Sequence, residues 1–345
     1  MKPGQSAILT IEVRSLPMIF LHTLILTMVL DTPSLAEWKI AGEGSIFYTD
    51  DVALFSATRR LSRDSDPTQP ALDDELANQG SDVVFEPDLQ LSKSFDLQGR
   101  QTTFSIRGQG FLFSDHPGFN HGTLGIDGRH AISPKTTVGF RYYYSPDLLL
   151  GENEERRSGM DLPANEKVTT NFLAVGIQHH PSQEVKLTLY SRYGMRSYNE
   201  EFSQRDTRFW TIGMHTDWDI SQDIAVAMGY HYERGLADGR NEPALKDDIS
   251  YFNHFVTMEF KLELMPPLAL ELGMHYEFNG WTTGIVGDIR NGQHEDIVQG
   301  DIQLRYHLTK TTDLMVGFQG AHRKESFEAD GLKNLNTWFG GEMVY

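Results

Sequence analysis

The chain has 345 residues, no cysteine and a net charge of −18. Absence of cysteine excludes disulfides, thiolate metal sites, cysteine nucleophiles and the lipid-modified cysteine of a lipoprotein, and the acidic balance argues against nucleic acid and other acidic partners. The length admits two soluble domains or one large all-β unit.

The first element is a continuous apolar run from Met18 to Leu30, preceded by Lys2 and Arg14 and followed by Ser34, Leu35 and Ala36. Charge, apolar core, then small residues is the order that signal peptidase reads, so residues 1–36 are expected to be a signal peptide cleaved after Ala36. The run is short against the roughly 20 residues of a spanning helix.

From Trp38 onward the apolar residues repeat with period two. Strands are expected near 38–48, 83–95, 100–113, 121–132, 136–147, 167–180, 184–197, 206–220, 223–234, 248–264, 268–281, 295–308, 312–325 and 335–345. The clearest places Leu268, Leu270, Leu272, Met274, Tyr276 and Phe278 on one face and Ala269, Glu271, Gly273, His275, Glu277 and Asn279 on the other. Such a strand suits lipid on one side and water on the other, and it keeps the mean hydropathy low, at −0.40, without making the chain soluble. Alternation alone also fits a soluble sandwich.

Loop lengths separate the two. Connections after the even strands are short, as at Ser133-Pro134-Lys135, Ser221-Gln222 and Thr309-Lys310-Thr311, whereas those after the odd strands are mostly long, the longest being 49–82. A membrane barrel has short periplasmic turns and long outer loops in strict alternation. Tyr142, Tyr144, Trp210, Trp218, Tyr230, Tyr232, Tyr276 and Phe278 fall on the lipid face, mostly toward strand ends, as interfacial girdles do. The C-terminal stretch, with Gly340, Met343 and Tyr345, is similar to the signal read by the barrel assembly machinery. With these features, residues 37–345 resemble the outer-membrane β-barrel class of Gram-negative bacteria, and no single family within it. The expected fold is all-β: one closed antiparallel transmembrane barrel of about 14 strands, twelve to sixteen being compatible. The resemblance implies a cell outer membrane location reached through the periplasm. It also implies contact with outer-membrane lipid, lipopolysaccharide and the assembly machinery, no cofactor, and no protein partner that can be named.

Inward positions carry both signs of charge. Pore-lining candidates are Arg107, Arg129, Arg141, Arg192, Arg196, Glu233, Glu271, Glu277, Asp301 and Arg305. They either line water or pair across strands and fill the lumen. The outer loops are acidic at Asp50, Asp51, Asp73, Asp74, Glu75, Asp82, Glu152, Glu154, Glu155, Glu200 and Glu201, a rim that concentrates cations. The 49–82 loop either folds inward as a constriction or waves free, and its Ser, Asp, Pro and Gln content favours the flexible form. His215, Asp217, His231 and Glu233 should neighbour one another on the lumen face, where a polar wall and a metal or proton-relay site are the two readings. No serine triad or His-Glu motif stands beside them, so an enzyme is not expected. A passive channel for small hydrophilic solutes with mild cation preference is the first reading; a plugged barrel that is structural or presents its loops to a partner is the second.

Overall fold

The computed structural model describes residues 37–55, 70, 72–73, 76–326 and 331–344. The expected signal peptide, Tyr345, Asp74 and Glu75 lie outside these residues.

Fourteen strands follow in order: β1 (Glu37–Thr49), β2 (Asp82–Leu97), β3 (Arg100–Phe113), β4 (His121–Ser133), β5 (Thr136–Glu155), β6 (Leu162–His179), β7 (Val185–Tyr198), β8 (Thr207–Asp219), β9 (Ile224–Ala237), β10 (Tyr251–Met265), β11 (Leu268–Trp281), β12 (His294–His307), β13 (Thr312–Glu325) and β14 (Leu332–Val344). Each pairs with the next, and β14 closes on β1 to complete the barrel. The seam runs in register from Ala41↔Val344 to Thr49↔Asn336. Closure leaves no sheet edge, so every strand finds its backbone partners without water. Gly340 sits at the seam opposite Ser45, where a side chain would meet the Ser45 hydroxyl, and Met343 faces outward beside Gly42.

Strand formation follows from the two solvents. On β11, Met274 and Tyr276 are exposed on the outside while His275 and Glu277 are buried inside. Leu189, Ile212, Val298 and Phe339 are likewise exposed on β7, β8, β12 and β14, making the outer wall an apolar belt suited to lipid. Trp210, Trp218, Tyr230 and Tyr276 point outward with them.

The turn between β2 and β3 shows why one connection class is short. Gln98 and Gly99 both take positive φ, 55° and 75°, the pattern of a two-residue hairpin turn. Asp96 Oδ1 accepts the Gly99 N–H at 2.7 Å.

Two expectations about the outer side are corrected. β5 and β6 run on as a hairpin to Glu155 and from Leu162, so Glu152, Glu154 and Glu155 belong to a strand and not to a loop. Register shifts at Ser145/Leu148 and Leu149/Gly151 let the strand turn and restart past Pro146, where the sequence pattern breaks. The described ends of the 49–82 loop do not wave free. Val52, Ala53, Leu54 and Phe55 enter the lumen on one side, and Leu72, Leu76 and Ala77 lie buried on the return.

Candidate functional site

The lumen divides into an inner cavity and an outer half into which the described ends of the first loop pack. Phe47, Val52, Ala53, Phe55, Val84, Phe111, Phe113 and Trp338 form an apolar cluster against the β1–β3 and β14 wall. Leu54, Leu72, Leu76 and Ala77 join Leu148, Leu150, Val168, Tyr198, Ile249, Tyr251 and Trp281 in another, on β5–β7, β10, β11 and the adjoining outer loop. The loop therefore rests on both sides of the barrel. Burying several large apolar side chains, at about 1.5–3 kcal/mol each, opposes its release.

A buried ion network ties down the return. Arg205, in the loop before β8, lies 2.7 Å from Asp73, 3.0 Å from Glu166 of β6 and 2.8 Å from Asp247 in the loop before β10. Arg290, in the loop before β12, pairs with Asp73 and lies 3.2 Å from Asp247. Asn153 Nδ2 donates to Asp73 at 2.9 Å. Burial opposes ionisation of Asp73, but the Arg205 and Arg290 charges outweigh it and hold its carboxyl well below the usual range. Asp247 is lowered for the same reason, against the same opposition.

Several rim acids are thereby spent on structure. Asp51 accepts the Ala53 and Leu54 N–H groups, and Asp82 accepts from Ser114, Asp115 and His116. Asp50 accepts from Asn334 and Leu335, and Glu155 is bound by Ser158. Glu152, Glu200 and Glu201 remain exposed. The expected acidic rim is thus reduced, because a loop folded into a low-dielectric interior must pair its carboxylates.

Beneath the plug, toward the short turns, lies a cavity of about 760 Å³. Glu43, Glu184, Asp217, Asp219, Glu259, Glu271 and Asp301 line it against Arg107, Lys186, Lys261 and Arg305. Seven carboxylates facing four cations leave a negative excess. Three of the four cations are paired across strands: Arg107 with Asp88 at 2.6 Å, Lys186 with Asp217 at 2.7 Å, and Arg305 with Glu271 and Glu342, both at 2.8 Å.

Among the pore-lining candidates, Arg107, Glu271, Asp301 and Arg305 face this cavity. Arg141 pairs with Asp127 at 2.8 Å, and Arg129 is exposed near the short-turn end of β4. Arg192, Arg196, Glu233 and Glu277 are buried in the wall. Glu233 takes Arg192 at 2.8 Å, Arg196 at 3.2 Å and the Tyr251 hydroxyl, while Glu277 accepts from Asn253 at 2.5 Å. The four residues of the polar cluster part company: His215 and His231 meet, Asp217 turns to Lys186, and Glu233 to the arginines. No group of three or more His, Asp or Glu side chains is arranged to hold a metal among the described residues. The arginines at 205 and 290, which hold the plug, stood outside the sequence candidates.

No protein-family model matches the chain, and no curated protein matches it in sequence. Solved structures do match in shape. The outer membrane channel DcaP of Acinetobacter baumannii superposes with a TM-score of 0.50 at 11% identity, over 91% of this chain and 99% of that one. The shared fold is a closed antiparallel β-barrel. An anion-selective porin from Comamonas acidovorans gives 0.49 at 9% identity, over 91% of this chain and all of that one. Identities this low speak for the fold alone.

Proposed function

We propose that the protein is a non-enzymatic outer-membrane channel for small hydrophilic solutes, with a mild cation preference and with its first outer loop as the constriction. The observation that carries the reading is the pairing of a closed barrel with a charged 760 Å³ cavity beneath a loop whose described ends are clamped into the lumen. A cavity with seven carboxylates and four cations attracts cations electrostatically and repels anions. The channel named for Acinetobacter has the same fold, which is consistent with transport and does not specify the solute.

Membrane partners follow from the outer wall. The apolar belt takes acyl chains, with lipopolysaccharide in the outer leaflet, and the last strand with Gly340 and Met343 is what the assembly machinery would read. Liposome swelling tests the transport reading. Vesicles carrying the protein should swell in small amino acids and monosaccharides and not in large oligosaccharides. Swelling no faster than empty vesicles would favour the second reading, a barrel plugged by its first loop, for which the two apolar clusters speak.

A further inference from the structure

We propose that the outer wall carries a binding site for one anionic glycerophospholipid, with the phosphate at Lys93 and an acyl chain in the groove that begins there. This goes beyond transport and does not depend on it. It singles out one lipid from the belt that covers the barrel.

A groove of about 1060 Å³ crosses the outer wall from β1 to β8. Its floor follows one row of outward residues in register across the strands, from Lys93 through Phe104, Gly128, Phe140 and Val175 to Ser191. The Phe140 ring lies down over Gly128, in space that a Cβ would take, and Ser191 presents only a small side chain, so the floor stays low. Exposed Leu91 and Ile106 stand on one side of the row, and exposed Ile177 and Leu189 on the other. The row begins beside Trp38 near the start of β1 and ends beside Ile212 at the middle of β8. It therefore climbs from the short-turn interface, which is the periplasmic one in such barrels, toward the middle of the membrane. An acyl chain of the inner leaflet takes the same path.

Charge decides the headgroup. The Lys93 ammonium lies 5.0 Å from the centroid of the Trp38 ring, at the interfacial mouth of the groove. Lys93 and Arg129 are the charged residues among the described lining, and no carboxylate is among them. His130, whose Nδ1 meets the Thr102 hydroxyl at 2.9 Å, lines the same end. A phosphate is attracted by the two cations and meets no repelling acid. A lysine that merely snorkels to water needs no groove beside it. Lipopolysaccharide belongs to the opposite leaflet, and a second barrel would bridge the groove with its convex wall without filling it.

Native mass spectrometry of the folded barrel in detergent tests the site, with dioleoylphosphatidylglycerol as the probe and dioleoylphosphatidylcholine as the comparison lipid. One phosphatidylglycerol should be retained per barrel, in preference to phosphatidylcholine. Lys93→Gln should weaken retention by about fivefold, the effect of one lysine near an anionic surface. Lys310→Gln removes the same charge from the turn between β12 and β13 and should leave retention unchanged. Ser191→Trp fills the groove and should lower retention with the Lys93 charge intact. Heat-modifiable migration shows which variants have folded, and Lys93→Met takes the place of Lys93→Gln if that variant does not. Absence of the one-lipid adduct, or equal retention of the two lipids, would overturn the proposal. So would equal affinity in wild type and the Lys93 variant, an equal loss in Lys310→Gln, or dimers of the chain in place of the lipid adduct.

Discussion

Asp73 lies 2.7 Å from Arg205, half a barrel away from the two strands between which its loop emerges. The contact links a loop of β1 and β2 to the start of β8, so it can form only when the loop has crossed the lumen. Arg205 and Arg290 face three carboxylates, Asp73, Glu166 and Asp247. Removing a cation is therefore worse than removing an anion. Arg205→Gln should cost about 3–5 kcal/mol of stability, the scale for breaking a buried pair. Asp73→Asn leaves two carboxylates with two guanidiniums and should cost less, although it too loosens the loop. Denaturant titrations from lipid vesicles compare the two; a larger loss for Asp73→Asn would contradict the charge count.

The aspartates of the clamp should hold their charge across the neutral range. Asp73 and Asp247 have folded-state values below their unfolded ones, so their contribution is complete above about pH 4 and is lost as pH falls through the lowered values. Protease accessibility of the first loop should rise in strong acid, as these two carboxyls take up protons. Unchanged accessibility in strong acid would mean that these two aspartates do not hold the plug.

Face assignment predicts unequal effects from neighbouring substitutions. Met274 is exposed on the lipid side of β11, and Glu271 faces the cavity and Arg305. Met274→Arg should cost about 2–4 kcal/mol if the residue lies near the membrane midplane. Glu271→Gln removes a part-exposed ion pair, worth about 1 kcal/mol or less, because Arg305 retains Asp313 and Glu342. Equal losses in a folding titration would show the outer and inner faces to be misassigned.

Selectivity should answer to the cavity more than to the rim. Asp301→Asn should lower cation preference both at 0.1 M and at 1 M salt. Glu152→Gln with Glu200→Gln should act weakly and only at low salt, since the Debye length falls from about 10 Å to about 3 Å over that range. Reversal potentials measured at both ionic strengths distinguish them, and a dominant rim effect would count against the cavity as the selective region.

The strands were legible because lipid outside and polar lumen inside impose period two on every one of them; β3, β11 and β13 begin and end at the residues that alternation marks. The β5–β6 hairpin was not: the expected strands stop at 147 and restart at 167, while the structure carries the pairing on through two register shifts. The plug left a signal that composition concealed. Its polar residues suggest flexibility, but Val52–Phe55, Leu72 and Leu76 bracket the segment with apolar groups that need burial. Arg205 and Arg290 were illegible for a different reason: charge in an outer loop is ordinary, and only contact across the barrel makes these two structural.

Single-channel recording in a planar bilayer tests the channel directly, using the wild type and a variant with residues 52–79 replaced by a short Gly-Ser linker. The wild type should show small, steady ohmic steps with a cation-favouring reversal potential, and the variant larger steps because the outer half of the lumen is cleared. Silence from both proteins, or steps of equal size, would contradict a channel constricted by its first loop.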